Sequence, residues 1–203
     1  MSPDTLPPDL APLLADPDDA ALARLHDRLA AAAAEQDLLD VAYRTVDSPV
    51  GPLLLAVTDR GLVRVAFARE GHDHVLAELS DRISPRVLEA PGRLDPIARE
   101  LDEYFAHRRR TFDLPLDLRL ASGYRREVLE QLRHVAYGTT TSYAGLAAAT
   151  RSPRAVRAVG TACATNPLPL VVPCHRVVKS DGSIGNYGGG VEAKRVLLAL
   201  EAA

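Results

Sequence analysis

The period of hydrophobic and polar positions changes several times along the 203-residue chain. A Pro- and Asp-rich start gives way to DDAALARLHDRLAAAAAEQDLL. There Leu22, Leu25 and Leu29 recur at helical spacing among alanines, the best helix formers, which predicts one amphipathic helix over 18–37. The next stretch, VAYRTVDSPVGPLLLAVTDRGLVRVAF, alternates short β-type runs with turn residues. Ser48-Pro49, Gly51-Pro52 and Asp59-Arg60-Gly61 punctuate it, predicting antiparallel strands over 41–46, 52–58 and 62–67. Apolar residues three and four apart predict helices over 72–83 and 94–107, separated by Pro91-Gly92. Alternating Phe112 and Leu114 predict a last strand over 112–116.

From Ala121 onward the pattern is helical. Tyr124, Val128, Leu129 and Leu132 mark a helix over 124–135, stopped by Tyr137-Gly138. Thr140 to Ser142 can cap a second helix that runs to Thr150. After the break at Arg151-Ser152, Ser152 suits an N-cap and Pro153 the first position of a helix running to about Thr165. Asn166-Pro167 ends it, and two short helices joined by a brief turn make a helix-turn-helix candidate. On that last helix Val156, Val159, Gly160 and Cys163 fall on one side, read as core. Arg154, Arg157, Ala158, Thr161, Ala162 and Thr165 fall on the other. Small residues let a nucleic-acid backbone approach, and arginines supply phosphate contacts. The same pattern also describes an ordinary amphipathic helix with solvated arginines. The fold class read from these elements is α+β. An acidic, alanine-rich helical leader (1–40) precedes a small antiparallel-sheet and helix domain (41–118). A mainly helical domain with the helix-turn-helix (119–203) follows.

Hydrophobic residues at 47% and charged residues at 25% are ordinary globular composition and exclude disordered, collagen and coiled-coil classes. A net charge of −3 would by itself point away from nucleic acid. That average hides an asymmetry: residues 1–120 hold 22 acidic and 14 basic side chains, residues 121–203 hold 5 and 10. The second part therefore suits an anionic partner. The leader, net −7, is either an arm that competes with DNA or a solvated helix packed on the body. The start lacks a basic and apolar signal pattern, and no run approaches the ~18 apolar residues of a membrane span. A soluble cytoplasmic protein with reduced thiols and no membrane partner is expected. Two cysteines, Cys163 and Cys174, build neither a disulfide framework nor a Cys-rich zinc site, so no metal and no cofactor are expected.

The chemistry concentrates in NPLPLVVPCHRVV, residues 166–178. Leu170–Val172 reads as a β-type run that delivers Cys174 after a proline. A Cys followed by His175 and Arg176 is expected to sit in positive potential, which favours the reactive thiolate. Cys163 falls on the buried helix face, where a thiol behaves as a small hydrophobe. Downstream, GSIGNYGGG can wall a pocket but is no phosphate loop, because no Gly-Lys-Ser/Thr follows. A final helix over 191–202 carries Lys194, Arg195 and Glu201, with Leu197, Leu198 and Leu200 read as core.

Together, PCHRV with Asn-Pro upstream, GNYGGG, Lys194 and LLALE resemble the O6-alkylguanine-DNA alkyltransferases, or methylated-DNA–protein-cysteine methyltransferases. SYAGLAAAT and RAVGTA resemble that family's helix-turn-helix, and the resemblance runs from about Tyr43 to Glu201. It implies irreversible, single-turnover transfer of an alkyl group from guanine O6 in duplex DNA to Cys174. It also implies a relay from the thiol through a water to His175 and then Glu201, with Asn166 organising the turn. Tyr143 would assist base flipping and protonate the leaving purine, and Arg157 would fill the vacated stack. Val177, Tyr187, Gly188 and Lys194 would surround the alkyl group and base. Arg154, Ala158, Thr161 and Ala162 would face the minor groove. The implied partner is double-stranded DNA containing O6-alkylguanine, bound by a monomer. No cysteine precedes Cys163, so the N-terminal zinc ligands of some members are not expected. Two other readings remain: a non-catalytic lesion sensor or helix-turn-helix regulator, and a Cys-His hydrolase. The acceptor cysteine argues against a sensor, and nothing in the sequence places a hydrolase's oxyanion hole.

Overall fold

The computed structural model describes residues 19–203 and divides the chain into two compact units, 1–38 and 39–203. In the first unit helix α1 (Asp19–Glu35) matches the predicted helix, while its expected start at Asp18 lies outside the described residues. Leu22, Leu25 and Leu29 on α1 are exposed.

In the second unit a meander of β1 (Val41–Val46), β2 (Leu53–Thr58) and β3 (Gly61–Phe67) forms as the alternating runs predict. All six residues of β2 are buried, so this strand, LLLAVT, is covered on both faces. Helix α2 (His72–Arg82) inserts Val75 and Leu79 into a core with Val41, Leu54, Ala56, Val63, Ala66 and Leu120. The chain then returns as β4 (Val87–Glu89), parallel to β1, giving the order β3-β2-β1-β4. Three residues are too few for a period-2 signal, and this strand went unpredicted. Helix α3 (Asp95–Phe105) buries Ile97, Leu101 and Tyr104.

The expected strand over 112–116 does not form; a single bridge joins Leu116 to Leu62. The Leu62 N–H donates to the Pro115 carbonyl, and the Asp117 N–H to the Leu62 carbonyl. Pro115 has no N–H to extend the ladder. Gly61 (φ +126°) permits this approach, since a Cβ there would lie 2.1 Å from the Pro115 carbonyl oxygen.

The rest comprises α4 (Gly123–Leu132), β5 (Thr141–Ser142), α5 (Tyr143–Ala148), α6 (Val156–Ala164), β6 (Val177–Val178) and α7 (Gly190–Glu201). Strands β5 and β6 pair in parallel. Helices α5 and α6 form the helix-turn-helix against α4. The Ser142 hydroxyl accepts from the Gly145 N–H at 2.9 Å, the expected cap. Helix α6 starts three residues later than an N-cap at Ser152 suggests, because the Ala155 N–H bonds the Ser152 carbonyl and closes a turn first. Its buried stripe is Val159, Ala162 and Cys163, while Val156 is 36% exposed. Two side assignments thus reverse: Val156 faces out, and Ala162, expected at the DNA, is buried. Nor is 170–172 a strand; it is a turn with Leu170 at φ +69°. Pro169 and Pro173 remove ladder donors there. On α7 Leu197 is buried, whereas Leu198 and Leu200 are half-buried.

Candidate active site

Cys174 opens a 3-10 turn spanning Cys174–Arg176, directly before β6. The turn is held by Asn166, the residue that leads the chain out of α6. Its Nδ2 donates to the Val172 carbonyl at 2.8 Å and contacts Cys174 Sγ at 3.1 Å, while its Oδ1 accepts from the Leu168 N–H at 3.0 Å. One buried amide thus replaces the missing strand ladder and aims a donor at the thiol.

The next two side chains turn toward the end of α7. His175 Nε2 lies 2.8 Å from Glu201 Oε1, and Arg176 reaches Glu201 through Nε (2.8 Å) and Nη2 (2.9 Å). The Tyr104 hydroxyl donates to Oε1 at 2.7 Å, and the Gly138 N–H to Oε2 at 3.3 Å. Arg176 Nη1 also donates to the Val135 carbonyl at 2.6 Å. All four side chains are buried. The carboxylate therefore collects donors from α3, from the turn after α4 and from the turn behind Cys174. Burial alone would raise the Glu201 carboxyl, but hydrogen bonds from His175, Arg176 and Tyr104 outweigh it and hold the group well below the ordinary carboxylate range. An ionised partner at Nε2 makes that nitrogen the N–H, leaving Nδ1 as the ring's acceptor. Nδ1 is buried and has no hydrogen-bond partner in the protein.

The expected thiolate is not the resting form. Burial pushes the Cys174 thiol up to about 11, against the smaller opposing effects of the Asn166 hydrogen bond and Lys194. The cations assumed to activate it are engaged elsewhere. Burial holds the His175 ring below its ordinary value, hence neutral near pH 7, and Arg176 is paired with Glu201. The cation that does act on the thiol is Lys194, fully buried on α7 and donating Nζ to the Val177 carbonyl.

Tyr143, first residue of α5, bridges thiol and surface. Burial raises its phenol, as do the Cys163 and Cys174 thiols. With Arg157, Gly160, Thr161, Ala164, Lys179, Gly185 and Asn186 it also lines an open cleft of about 570 Å³. Gly185 leaves room for the phenol: a Cβ would lie 2.6 Å from the Tyr143 hydroxyl oxygen and would displace it. Arg157, Ala158 and Thr161 are exposed on α6, and Arg154 is exposed in the turn that leads into it. Val177 and Tyr187 are buried beside the thiol turn, and Gly188 borders open space. Tyr187 meets the His175 ring edge-on at 6.4 Å and the Phe67 ring at 5.5 Å. Among the described residues no three His, Cys, Asp or Glu side chains gather as metal ligands, and no helix is long and apolar enough to cross a membrane.

The structure thus brings together Cys174, Asn166, His175, Glu201, Lys194 and Tyr143. Sequence reasoning overlooked Tyr104 and gave Arg176 no partner. Tyr104 carries one visible signal, a hydroxyl on the apolar stripe Ile97, Leu101, Tyr104 of α3.

Comparison with known proteins gives concordant matches. The 6-O-methylguanine DNA methyltransferase DNA binding domain matches residues 123–203, and the ribonuclease-like domain of the same family matches residues 41–118. A methylated-DNA–protein-cysteine methyltransferase of Mycobacterium tuberculosis is 38% identical over 169 residues, covering 79% of this chain and 92% of that protein. The Rattus norvegicus protein of the same name is 37% identical over 176 residues, covering 81% and 84%. The crystal structure of Mycobacterium tuberculosis OGT in complex with DNA superposes with a TM-score of 0.68 at 36% identity, covering 79% of this chain and 92% of that one.

Proposed function

The chain belongs to the 6-O-methylguanine DNA methyltransferase family, and from that premise we propose that it repairs alkylated DNA by taking the alkyl group onto its own Cys174. The lesion is O6-alkylguanine in duplex DNA. The observation that carries this reading is the buried constellation around one thiol: Asn166 on Sγ, and His175 oriented by Glu201. In the reaction a bond forms between Cys174 sulfur and the alkyl carbon while the carbon–O6 bond breaks. The thiol proton passes through a water to Nδ1 of His175, the acceptor nitrogen. The leaving guanine takes a proton from the Tyr143 hydroxyl, and both groups return to their resting state by exchange with solvent. A thiol resting near 11 needs this base, because direct ionisation at pH 7 supplies very little thiolate. The product thioether has no good leaving group, so each molecule reacts once.

A base within the stack cannot reach a buried sulfur, so the nucleotide must be flipped out. The cleft beside Tyr143 supports entry there, since the same phenol touches the cleft and senses the thiol. Arg157, exposed on α6 at the rim of that cleft, fills the gap left in the stack. Val177, Tyr187, Gly188 and Lys194 enclose alkyl group and base. Exposed Arg154, Ala158 and Thr161 approach the minor groove, and Val156 takes the outward place expected of Ala162. The acceptor domain spans 119–203, behind the 41–118 domain and the 1–40 leader. The protein acts as a monomer in the cytoplasm.

Incubation with an O6-methylguanine duplex followed by peptide mass spectrometry tests the reading. The Cys174 peptide should gain the mass of one CH2 with one equivalent of DNA, and Cys174→Ala should gain none. Unmodified wild-type protein overturns the assignment, and repeated release of a small product would point to a hydrolase.

A further inference from the structure

Beyond the thiol, its cleft and its relay, a cavity beside Arg64, Arg82 and Arg125 and another beside Asp59 and Arg93 have no unpartnered buried polar group facing them among the described residues. Tyr104 differs from everything lining them. It belongs to the sheet-bearing half of the chain, is fully buried, and spends its hydroxyl on a residue 97 positions away in the reaction relay. We infer that Tyr104 is a positioning residue for alkyl transfer: its hydrogen bond to Glu201 Oε1 limits the carboxylate's pull on His175 and keeps that ring a neutral base. The inference rests on the proposed function.

Three donors share Oε1: the Tyr104 hydroxyl at 2.7 Å, His175 Nε2 at 2.8 Å and Arg176 Nη2 at 2.9 Å. A carboxylate oxygen divided among three donors accepts less strongly from each of them. The groups facing the pair from each packed element are few. Tyr104 comes from α3, Arg176 from the turn behind Cys174, Tyr187 from the glycine loop and Lys194 from α7. Tyr137 lies after α4, with the Arg110 and Arg176 guanidiniums 5.5 and 5.8 Å from its ring centroid. Glu201 is the anion that favours a protonated ring, while burial, Arg176 and Lys194 oppose it. Removing the Tyr104 hydroxyl returns Oε1 to His175 and Arg176, strengthens the Glu201–His175 bond and moves the ring toward imidazolium. An imidazolium cannot accept the thiol proton. The ring of Tyr104 meanwhile packs against Phe105, Phe112 and Tyr137 at 5.3–6.1 Å, so phenylalanine preserves the packing.

The test is the pH dependence of single-turnover methyl transfer from an O6-methylguanine duplex. In wild type the rate falls on the acid side as His175 gains a proton. Tyr104→Phe should raise that midpoint by about 0.5–1 pH unit, slowing transfer by roughly three- to tenfold on the acid limb and by no more than about threefold at pH 7. DNA affinity should stay within about twofold, because Tyr104 does not reach the surface. Site-specific 3,5-difluorotyrosine at position 104 keeps the ring but donates more strongly, and should lower the midpoint. It also keeps the test open should Tyr104→Phe fold poorly. Midpoints unchanged in both variants, with any rate loss uniform across pH, overturn the inference while leaving methyl transfer intact. A wild-type protein that gains no methyl group refutes instead the proposed function on which it rests.

Discussion

Replacing Glu201 by glutamine removes one charge from a site with five polar contacts. Oε1 receives Tyr104, His175 and Arg176, and Oε2 receives Arg176 and Gly138. An amide nitrogen at Oε2 faces two obligate donors, Arg176 Nε and the Gly138 N–H, and at Oε1 it faces Arg176 Nη2, so at least one of these hydrogen bonds is lost in either orientation. The Arg176 side chain, 7% exposed, also loses its only carboxylate partner among the described residues. Removing one member of a buried ion pair typically destabilises by about 3–5 kcal/mol. For a unit of this size that corresponds to roughly 6–20 °C in Tm. Thermal unfolding of wild type and Glu201→Gln at pH 7 measures it. The pH sign is also determined. Glu201 in the folded protein lies well below its ordinary 4.5, so its stabilisation is complete above that value and is lost as pH falls below it. Wild type and variant should therefore converge in acid. A Tm at pH 7 within about 2 °C of wild type, or a gap that stays constant into acid, would refute the carboxylate as the site's anchor.

Other substitutions probe the surrounding parts. Asn166→Ala should push the Cys174 thiol above its present value of about 11, read from the pH dependence of peptide-resolved iodoacetamide labelling; an unchanged or lower midpoint would show that the Nδ2 contact does not act on sulfur. Gly185→Ala places a methyl 2.6 Å from the Tyr143 hydroxyl and should slow transfer several-fold while leaving Tm nearly unchanged, whereas an unaltered rate would remove Tyr143 from the reaction. Arg157→Ala should slow repair in duplex by roughly tenfold or more yet spare reaction with free O6-methylguanine, since only the duplex needs flipping; equal losses on both substrates would exclude that role.

The helix-turn-helix, the meander and the candidate nucleophile were legible because each is written locally. Residues 53–57 are a continuous apolar run, Ser142 caps its own helix, and Cys174 stands in a dense motif. Boundaries failed where competing local bonds intervened. The Ser152–Ala155 turn delayed α6, and Pro115 limited 112–116 to one bridge. Helical spacing also misassigned Val156 and Ala162, because the side of a helix that is buried depends on its neighbours. Here α6 packs on α4 and α5, which centres the buried stripe on Val159, Ala162 and Cys163.

Sequence alone singled out Cys174 as the candidate nucleophile, with His175 beside it and Asn166 eight positions upstream, inside the basic segment 121–203. It could pair Glu201 with His175 only by resemblance, since the two are 26 positions apart. The tertiary structure decided the protonation state of that chemistry. Adjacent cations in the sequence suggested a thiolate, yet burial keeps Cys174 a thiol, neutralises His175 and commits Arg176 to Glu201. The physical reason is desolvation, which depends on how much water every packed element excludes and so cannot be read from neighbours in the chain. The same holds for Tyr104, which reaches Glu201 only because α3 and α7 are folded against each other.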